Sequence, residues 1–192
     1  MVTVEHRPIP PWARRQEIRI GAVIAVALAI GFVVWLVAIR GGGSSKAKIT
    51  TIAPTAATPE RMRAVAKDAG HPIYWAGPAA NTTYELTETS SGRIYVRYLP
   101  HGIPVNTQSA RYTIVGTYPV PDAYKVLNGL ARKGGESSFP APRGGFAVYA
   151  KASPTNIYLA YPDLKDVQIE VYDPSPKRAR SLIDSGRIAP VP

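Results

Sequence analysis

The longest apolar run in the chain is Ile20 to Ile39, IGAVIAVALAIGFVVWLVAI, which contains no charged and no polar side chain. As an α-helix rising about 1.5 Å per residue, this run is about 30 Å long and matches the hydrocarbon core of a bilayer. Helices of soluble proteins normally carry an apolar stripe on one side, whereas every side of this segment is apolar. The pattern predicts one transmembrane helix over residues 20–39, with the lipid bilayer as its partner.

The residues that flank the apolar run indicate how it is inserted. A cleaved secretory signal has an apolar core of about 7–15 residues followed by small residues. This core is longer, and Ile39-Arg40 follow where small residues would be needed. Four arginines precede the run and three basic residues follow it. The positive-inside bias therefore predicts an uncleaved signal anchor, with a cytoplasmic N-terminus and an extracytoplasmic C-terminal domain.

Composition divides the remainder of the chain. Residues 1–19 are predicted to be a short, basic cytoplasmic tail. Residues 40–57 contain Gly-Gly-Gly-Ser-Ser directly after Arg40 and continue with a run rich in Thr, Ala and Pro, which is typical of a flexible tether. Residues 58–187 have the mixed pattern of one folded domain, and residues 188–192 are expected to be a frayed tail.

Three segments of this outer domain carry apolar residues at helical spacing. The first begins with Thr58 as N-cap and Pro59 at the first helical position, and Gly70 ends it. The other two predicted helices begin at Pro121 or Asp122 and at Ser175-Pro176. We therefore expect three helices in the domain.

Alternating residues predict strands, and one pair of strands allows the register to be predicted. Residues 83–89 and 93–99 alternate on either side of Ser90-Ser91-Gly92. A three-residue loop places Leu86 opposite Val96 and keeps apolar residues on one face, with a left-handed Gly92 in the turn. The same register places Glu85 opposite Arg97, which we expect to form an exposed cross-strand ion pair.

Four further segments have strand-like patterns, at residues 112–118, 146–150, 156–161 and 167–172. Residues 133–145, KGGESSFPAPRGG, are rich in Gly and Pro and predict a flexible loop that is a candidate for ligand binding. The order of helices and strands predicts an α+β domain with a mostly antiparallel sheet.

Two parts of the domain resemble each other. Residues 94–98, IYVRY, are similar to residues 157–161, IYLAY, and each is followed by a strand ending in tyrosine and then by a helix. The similarity suggests two repeated β-β-α units. The alternative is chance likeness among strands in a chain with 11 tyrosines.

Composition excludes several kinds of site. The chain contains no cysteine, so disulfides, zinc thiolates and thiol nucleophiles are absent. Its three histidines show no metal-ligand spacing, and no nucleotide-binding or serine-hydrolase motif occurs, so we expect no cofactor, no metal and no recognisable catalytic residue. The segment from residue 46 carries 18 Lys and Arg against 11 Asp and Glu. Such a charge suits an anionic envelope polymer or an acidic protein, while no nucleic-acid-binding module is present.

Tyrosines and arginines concentrated in the strands are the best candidates for a binding surface, because these residue types are enriched where proteins recognise partners. We select Arg93, Tyr95, Arg97, Tyr98 and Arg111.

The sequence as a whole predicts a single-pass membrane protein whose outer domain binds or scaffolds in the cell envelope without catalysis. One alternative is an envelope enzyme of acid–base type that gathers His71, His101 and a carboxylate. Another alternative is an accessory subunit of a membrane complex.

Overall fold

The computed structural model describes residues 50–192, and an antiparallel sheet of eight strands dominates them. A second, two-stranded sheet pairs β10 with β2. In chain order the strands are β1 (Thr55–Ala57), β2 (Tyr74–Trp75), β3 (Thr82–Glu88), β4 (Ile94–Pro100), β5 (Ile114–Pro119), β6 (Glu136–Ala141), β7 (Gly145–Ala150), β8 (Asn156–Ala160), β9 (Val167–Tyr172) and β10 (Ala189–Pro190).

Three α-helices complete the described region, α1 (Pro59–Ala69), α2 (Ala123–Ala131) and α3 (Pro176–Asp184). The Thr58 side chain caps α1 by accepting a hydrogen bond from the Arg61 N–H, and Ser175 caps α3 in the same way. The predicted α+β class, with three helices and a mostly antiparallel sheet, is confirmed.

The strands lie in the order β1-β3-β4-β5-β9-β8-β7-β6. Two four-stranded segments of the chain therefore meet at the β5–β9 pair, and each runs outward from that pair to one edge of the sheet. Because side chains alternate along a strand, the register assigns residues to two faces. We call the face that contains Leu86, Val96, Val115 and Ile169 the first face, and the face that contains Glu85, Arg97, Gly116 and Glu170 the second face.

Two clusters of buried apolar residues lie on the first face. Helix α1 contributes the buried Met62 and Val65 to a cluster with Leu86, Ile94 and Val96. Helix α3 packs its buried residues over the other half of the sheet, in a cluster that includes Val115, Leu159 and Ile169. Helix α2 contacts β6, β7, β8 and β9, and its Tyr124 ring lies 6.3 Å from the ring of Phe146, which alternation places on the second face.

The predicted β3–β4 register is confirmed. Leu86 lies opposite Val96, Glu85 lies opposite Arg97, and the turn residue Gly92 has a φ of 74°. The prediction that the Glu85–Arg97 pair is exposed is wrong, because the side chains are only 3% and 12% accessible. The segment after β4 covers them.

The predicted loop over residues 133–145 is also wrong. Residues Glu136–Ala141 form β6, which pairs with β7 at the edge of the sheet. Pro140 lacks an N–H donor, and an edge strand tolerates that loss because its outer side has no neighbouring strand. Only the short Pro142–Gly144 turn separates β6 from β7.

Both ends of the predicted domain extend further than expected. Thr55–Ala57, assigned to the tether, pair with β3, and Thr51 forms an isolated bridge with Thr89. The tail over residues 188–192 does not fray, because Ile188 is buried and Ala189 lies opposite Trp75. These segments belong to the folded unit that contains the sheet.

The predicted tail over residues 1–19 and transmembrane helix over residues 20–39 lie outside the residues that the structure describes. Within residues 50–192, no helix is long and apolar enough to cross a membrane.

Candidate functional site

Strand register gathers tyrosines around one carboxylate at the centre of the second face. Gly116 on β5 lies opposite both Tyr95 on β4 and Glu170 on β9, and Glu170 lies opposite Tyr158 on β8. These four positions form a row across the middle of the sheet. We call Tyr95, Tyr118, Asn156, Tyr158 and Glu170 the tyrosine cluster.

The absence of a side chain at Gly116 makes the cluster possible. A Cβ added at this glycine would lie 2.6 Å from the hydroxyl oxygen of Tyr118 and 2.8 Å from its Cζ. The Tyr118 ring therefore folds back along its own strand and occupies the space above Gly116. From there its hydroxyl donates a hydrogen bond to Glu170 Oε2.

Glu170 is the buried acceptor of the cluster, with 3% of its surface accessible. Its Oε2 accepts from Tyr118 and its Oε1 accepts from the Asn156 side-chain amide, while the Tyr158 side chain also hydrogen-bonds to it. Burial raises the pKa of Glu170, and these hydrogen bonds and the charge of Arg93 act in the opposite direction. The raised pKa brings its titration closer to neutral pH.

Arg93 and Tyr95 are the half-buried members of this region. The Arg93 guanidinium carbon lies 5.8 Å from the centre of the Tyr118 ring, in a cation–π arrangement. The Tyr95 ring meets the Tyr118 ring edge-on at 5.6 Å. Among residues 50–192, no carboxylate oxygen lies within ion-pair distance of Arg93. The two residues thus present a positive charge and an aromatic ring at the surface, above a buried carboxylate.

The residues selected from sequence do not all lie together. Tyr95 and Arg97 lie on the second face of β4, and Arg93, the residue directly before β4, reaches the same face, where its guanidinium lies over the Tyr118 ring. Tyr98 lies on the first face, where its hydroxyl accepts from the Ala76 N–H and donates to the Gly77 carbonyl. Arg111 is exposed and lies in the segment before β5.

Arg97 is part of a structural clamp. Its guanidinium bonds to Glu85 Oε1 at 3.0 Å and donates a second hydrogen bond to the Thr107 carbonyl. Glu85 Oε2 accepts from the Asn106 N–H, and the Tyr112 ring lies 5.2 Å from the Arg97 guanidinium carbon. The pair therefore fixes Asn106 and Thr107 against the sheet, and its charges are directed at protein groups.

The histidines do not form the site that an acid–base enzyme would need. The His71 ring nitrogens lie 3.1 Å from the carbonyl oxygens of Pro72 and Gly92. His101 is exposed in the turn after β4. Within the part of the chain that the structure describes, no group of three His, Cys, Asp or Glu residues could hold a metal ion.

A concave region lies beside α3 on the first face. It is a shallow groove of about 220 Å³ with Tyr149 and Ile157 in its wall and Lys177 and Arg180 beside them. Arg180 already bonds to both oxygens of Asp184 and lies over the Phe139 ring. Arg180 is therefore paired with a carboxylate, whereas Arg93 has no carboxylate at ion-pair distance among residues 50–192.

Sequence reasoning selected Arg93 and Tyr95 but missed Gly116, Tyr118 and Glu170. One signal was available, because Glu170 interrupts the otherwise apolar strand VQIEVY and a charged residue in a central strand needs a buried partner. Comparison of the chain with protein-family models, with curated proteins and with solved structures gave no significant match.

Proposed function

We propose that this protein is a membrane-anchored, non-catalytic binding protein of the cell envelope. In this proposal residues 20–39 hold it in the bilayer, and its folded domain binds an anionic envelope polymer outside the cytoplasm. The surface formed by Arg93 and Tyr95 is the recognition site. We call it the Arg93–Tyr95 surface.

The position of Arg93 is the observation that carries the proposal. Its guanidinium lies over the Tyr118 ring, half-buried, with no carboxylate at ion-pair distance among residues 50–192. A planar guanidinium held in one orientation matches carboxylate, sulfate or phosphate groups, which accept two of its N–H donors together. Tyr95 beside it can pack against a sugar ring.

The apolar surface of the domain favours a polymer over a protein partner. Stable protein interfaces have a well-packed core of large side chains. Among the described residues, only Ile52 and Val105 are large hydrophobic side chains that are exposed. A charged, flexible polymer needs no such apolar core, since multiple weak ionic contacts supply its affinity.

The test uses the full chain, purified in mild detergent and immobilised through an N-terminal tag. Cell-envelope polymer fractions are passed over it at physiological salt, with detergent-only resin as the blank. We expect retention of an anionic polymer, and we expect Arg93→Gln to weaken binding about 10- to 100-fold, as the loss of about 1.5–3 kcal/mol of charge-assisted hydrogen bonding implies.

Arg61→Gln is the matched control, because it makes the same change at an exposed arginine on α1. Equal weakening of polymer binding in both variants would indicate a general effect of net charge and would contradict a site at Arg93. Recovery of one protein at fixed stoichiometry, with no polymer, would replace the polymer proposal by the accessory-subunit alternative.

We further propose that the large sheet consists of two related halves. The sequence likeness pairs Tyr95 with Tyr158, and the register agrees, since Tyr95 lies opposite Gly116 as Tyr158 lies opposite Glu170. The order β1-β3-β4-β5 on one side corresponds to β6-β7-β8-β9 on the other. The relation covers the strands only, because α2 and α3, which follow the two halves, pack on opposite faces.

A further inference from the structure

We propose that Glu170 is a proton-sensing group that sets the anion affinity of the Arg93–Tyr95 surface. Protonation of this carboxylate strengthens anion binding, and its ionisation weakens anion binding. The inference concerns the regulation of the proposed binding site and rests on that proposal.

Contacts connect the surface to the buried carboxylate through one ring. Arg93 lies over the face of Tyr118, and the hydroxyl of the same Tyr118 donates to Glu170. The Arg93 charge acts on Glu170 electrostatically. Because the interaction is mutual, an ionised Glu170 partly offsets the positive potential that Arg93 presents to an anion. Tyr118, which contacts both groups, is buried, so salt screens this interaction less than it would at an exposed pair.

The groups that face Glu170 come from all the neighbouring strands. Arg93 lies directly before β4 and Tyr95 lies on it. Strand β5 contributes Tyr118, and β8 contributes Asn156 and Tyr158. Burial raises the pKa values of the three tyrosines, so their hydroxyls remain protonated at neutral pH.

One further carboxylate lies near the cluster. Glu136 on β6 acts electrostatically on Tyr158, and burial raises its pKa while the charge of Lys133 lowers it. Arg93 does not titrate in the physiological range. Glu170 and Glu136 are therefore the two carboxylates that act on this cluster.

Thermodynamic linkage gives the direction of the effect. A bound anion disfavours the ionised form of Glu170, so binding should raise the pKa of this group further and take up protons. Because an anion binds more weakly beside an ionised Glu170, we expect the affinity to be about three- to tenfold higher at pH 5 than at pH 8.

The experiment measures the affinity of the full chain in mild detergent for fluorescently labelled dextran sulfate. Sulfate groups keep a constant charge in this pH range, so the probe itself does not titrate, and uncharged dextran is the blank. We expect wild type to bind three- to tenfold more tightly at pH 5 than at pH 8. We expect Glu170→Gln to bind at both pH values with the affinity that wild type shows at pH 5. We expect Glu136→Gln to retain the wild-type dependence on pH.

Proton uptake provides a second measurement that needs no variant at Glu170. Calorimetric titration at pH 6 in two buffers of different ionisation enthalpy gives the number of protons taken up as dextran sulfate binds, and we expect net uptake by wild type. Zero uptake, or a dependence on pH that persists unchanged in a folded Glu170→Gln variant, would overturn the proposed sensor. Failure of every variant to bind dextran sulfate at any pH would instead overturn the proposed binding function.

Discussion

Replacement of Gly116 by alanine tests whether the tyrosine cluster is packed as described. The added Cβ would lie 2.6 Å, 2.8 Å and 2.9 Å from three atoms of the Tyr118 phenol group. Carbon atoms in proteins do not approach one another so closely, so the ring must move. Tyr118 is fully buried and its hydroxyl bonds to Glu170, so movement would break that hydrogen bond.

Overpacking and the loss of a hydrogen bond together set how far Gly116→Ala lowers the free energy of unfolding. Overpacking of a well-filled interior costs about 1–3 kcal/mol. Loss of a hydrogen bond to a charged group costs about 1.5–3 kcal/mol. Since partial relaxation of the ring reduces the first term, we expect Gly116→Ala to lower the free energy of unfolding by about 2–5 kcal/mol. For a domain of this size, the melting temperature should fall by about 5–15 °C.

The assay is thermal and urea unfolding of the full chain in mild detergent, followed by the near-ultraviolet circular dichroism of its tyrosines. Gly129→Ala is the matched control, because it adds the same methyl group at an exposed position inside α2 with no atom within 4 Å of the new Cβ. The control should be stabilised by up to about 1 kcal/mol, since alanine favours helix over glycine.

A double-mutant cycle supplies the result that would refute this reasoning. If the new methyl group displaces the Tyr118 hydroxyl, Tyr118→Phe should cost much less in the Gly116→Ala background than in wild type. Fully additive effects would mean that the hydroxyl stays in place. Equal stability of the Gly116→Ala and Gly129→Ala variants would refute the close packing itself.

Four further predictions concern other contacts. Arg97→Met should lower the free energy of unfolding by about 3–5 kcal/mol, because it leaves Glu85 buried without its cation, and urea titration measures this loss. Ile188→Ala should lower it by about 2–5 kcal/mol in the same assay, whereas a frayed tail would show no change. Thr58→Ala should lower it by about 1 kcal/mol through loss of the helix cap. The pKa of Glu170 is raised in the folded state, so the protonated carboxyl contributes its full stabilisation below about pH 4.5, and this stabilisation is lost as the pH rises through the folded pKa. The melting temperature of Glu170→Gln should therefore depend less on pH than that of wild type.

Local patterns predicted the elements whose formation depends on nearby residues. Thr58 and Gly70 bound α1 as expected, because capping involves only residues one turn apart. The β3–β4 register followed from a short turn that had to keep Leu86 and Val96 on one face. Tyr95 lies on β4 as predicted for the same reason, whereas Arg93 lies directly before the strand.

Contacts between distant segments account for the wrong predictions. The exposure of Glu85 and Arg97 could not be predicted, because the covering contacts come from Asn106 and Thr107 in a segment with no regular pattern. Residues Glu136–Ala141 lie in the Gly- and Pro-rich segment 133–145, and they form a strand only because β7 is available to pair with them.

The sequence by itself determined the α+β class, the helix ends, the β3–β4 register and the expectation of a membrane anchor, since each depends on residues that are close along the chain. Tertiary structure alone decided that Gly116, Tyr118 and Glu170 meet beneath Arg93. Gly116 and Glu170 are separated by more than fifty residues, and only the pairing of β5 with β9 brings them together. The charge and packing of the candidate site therefore depend on strand order, which no local pattern in the chain specifies.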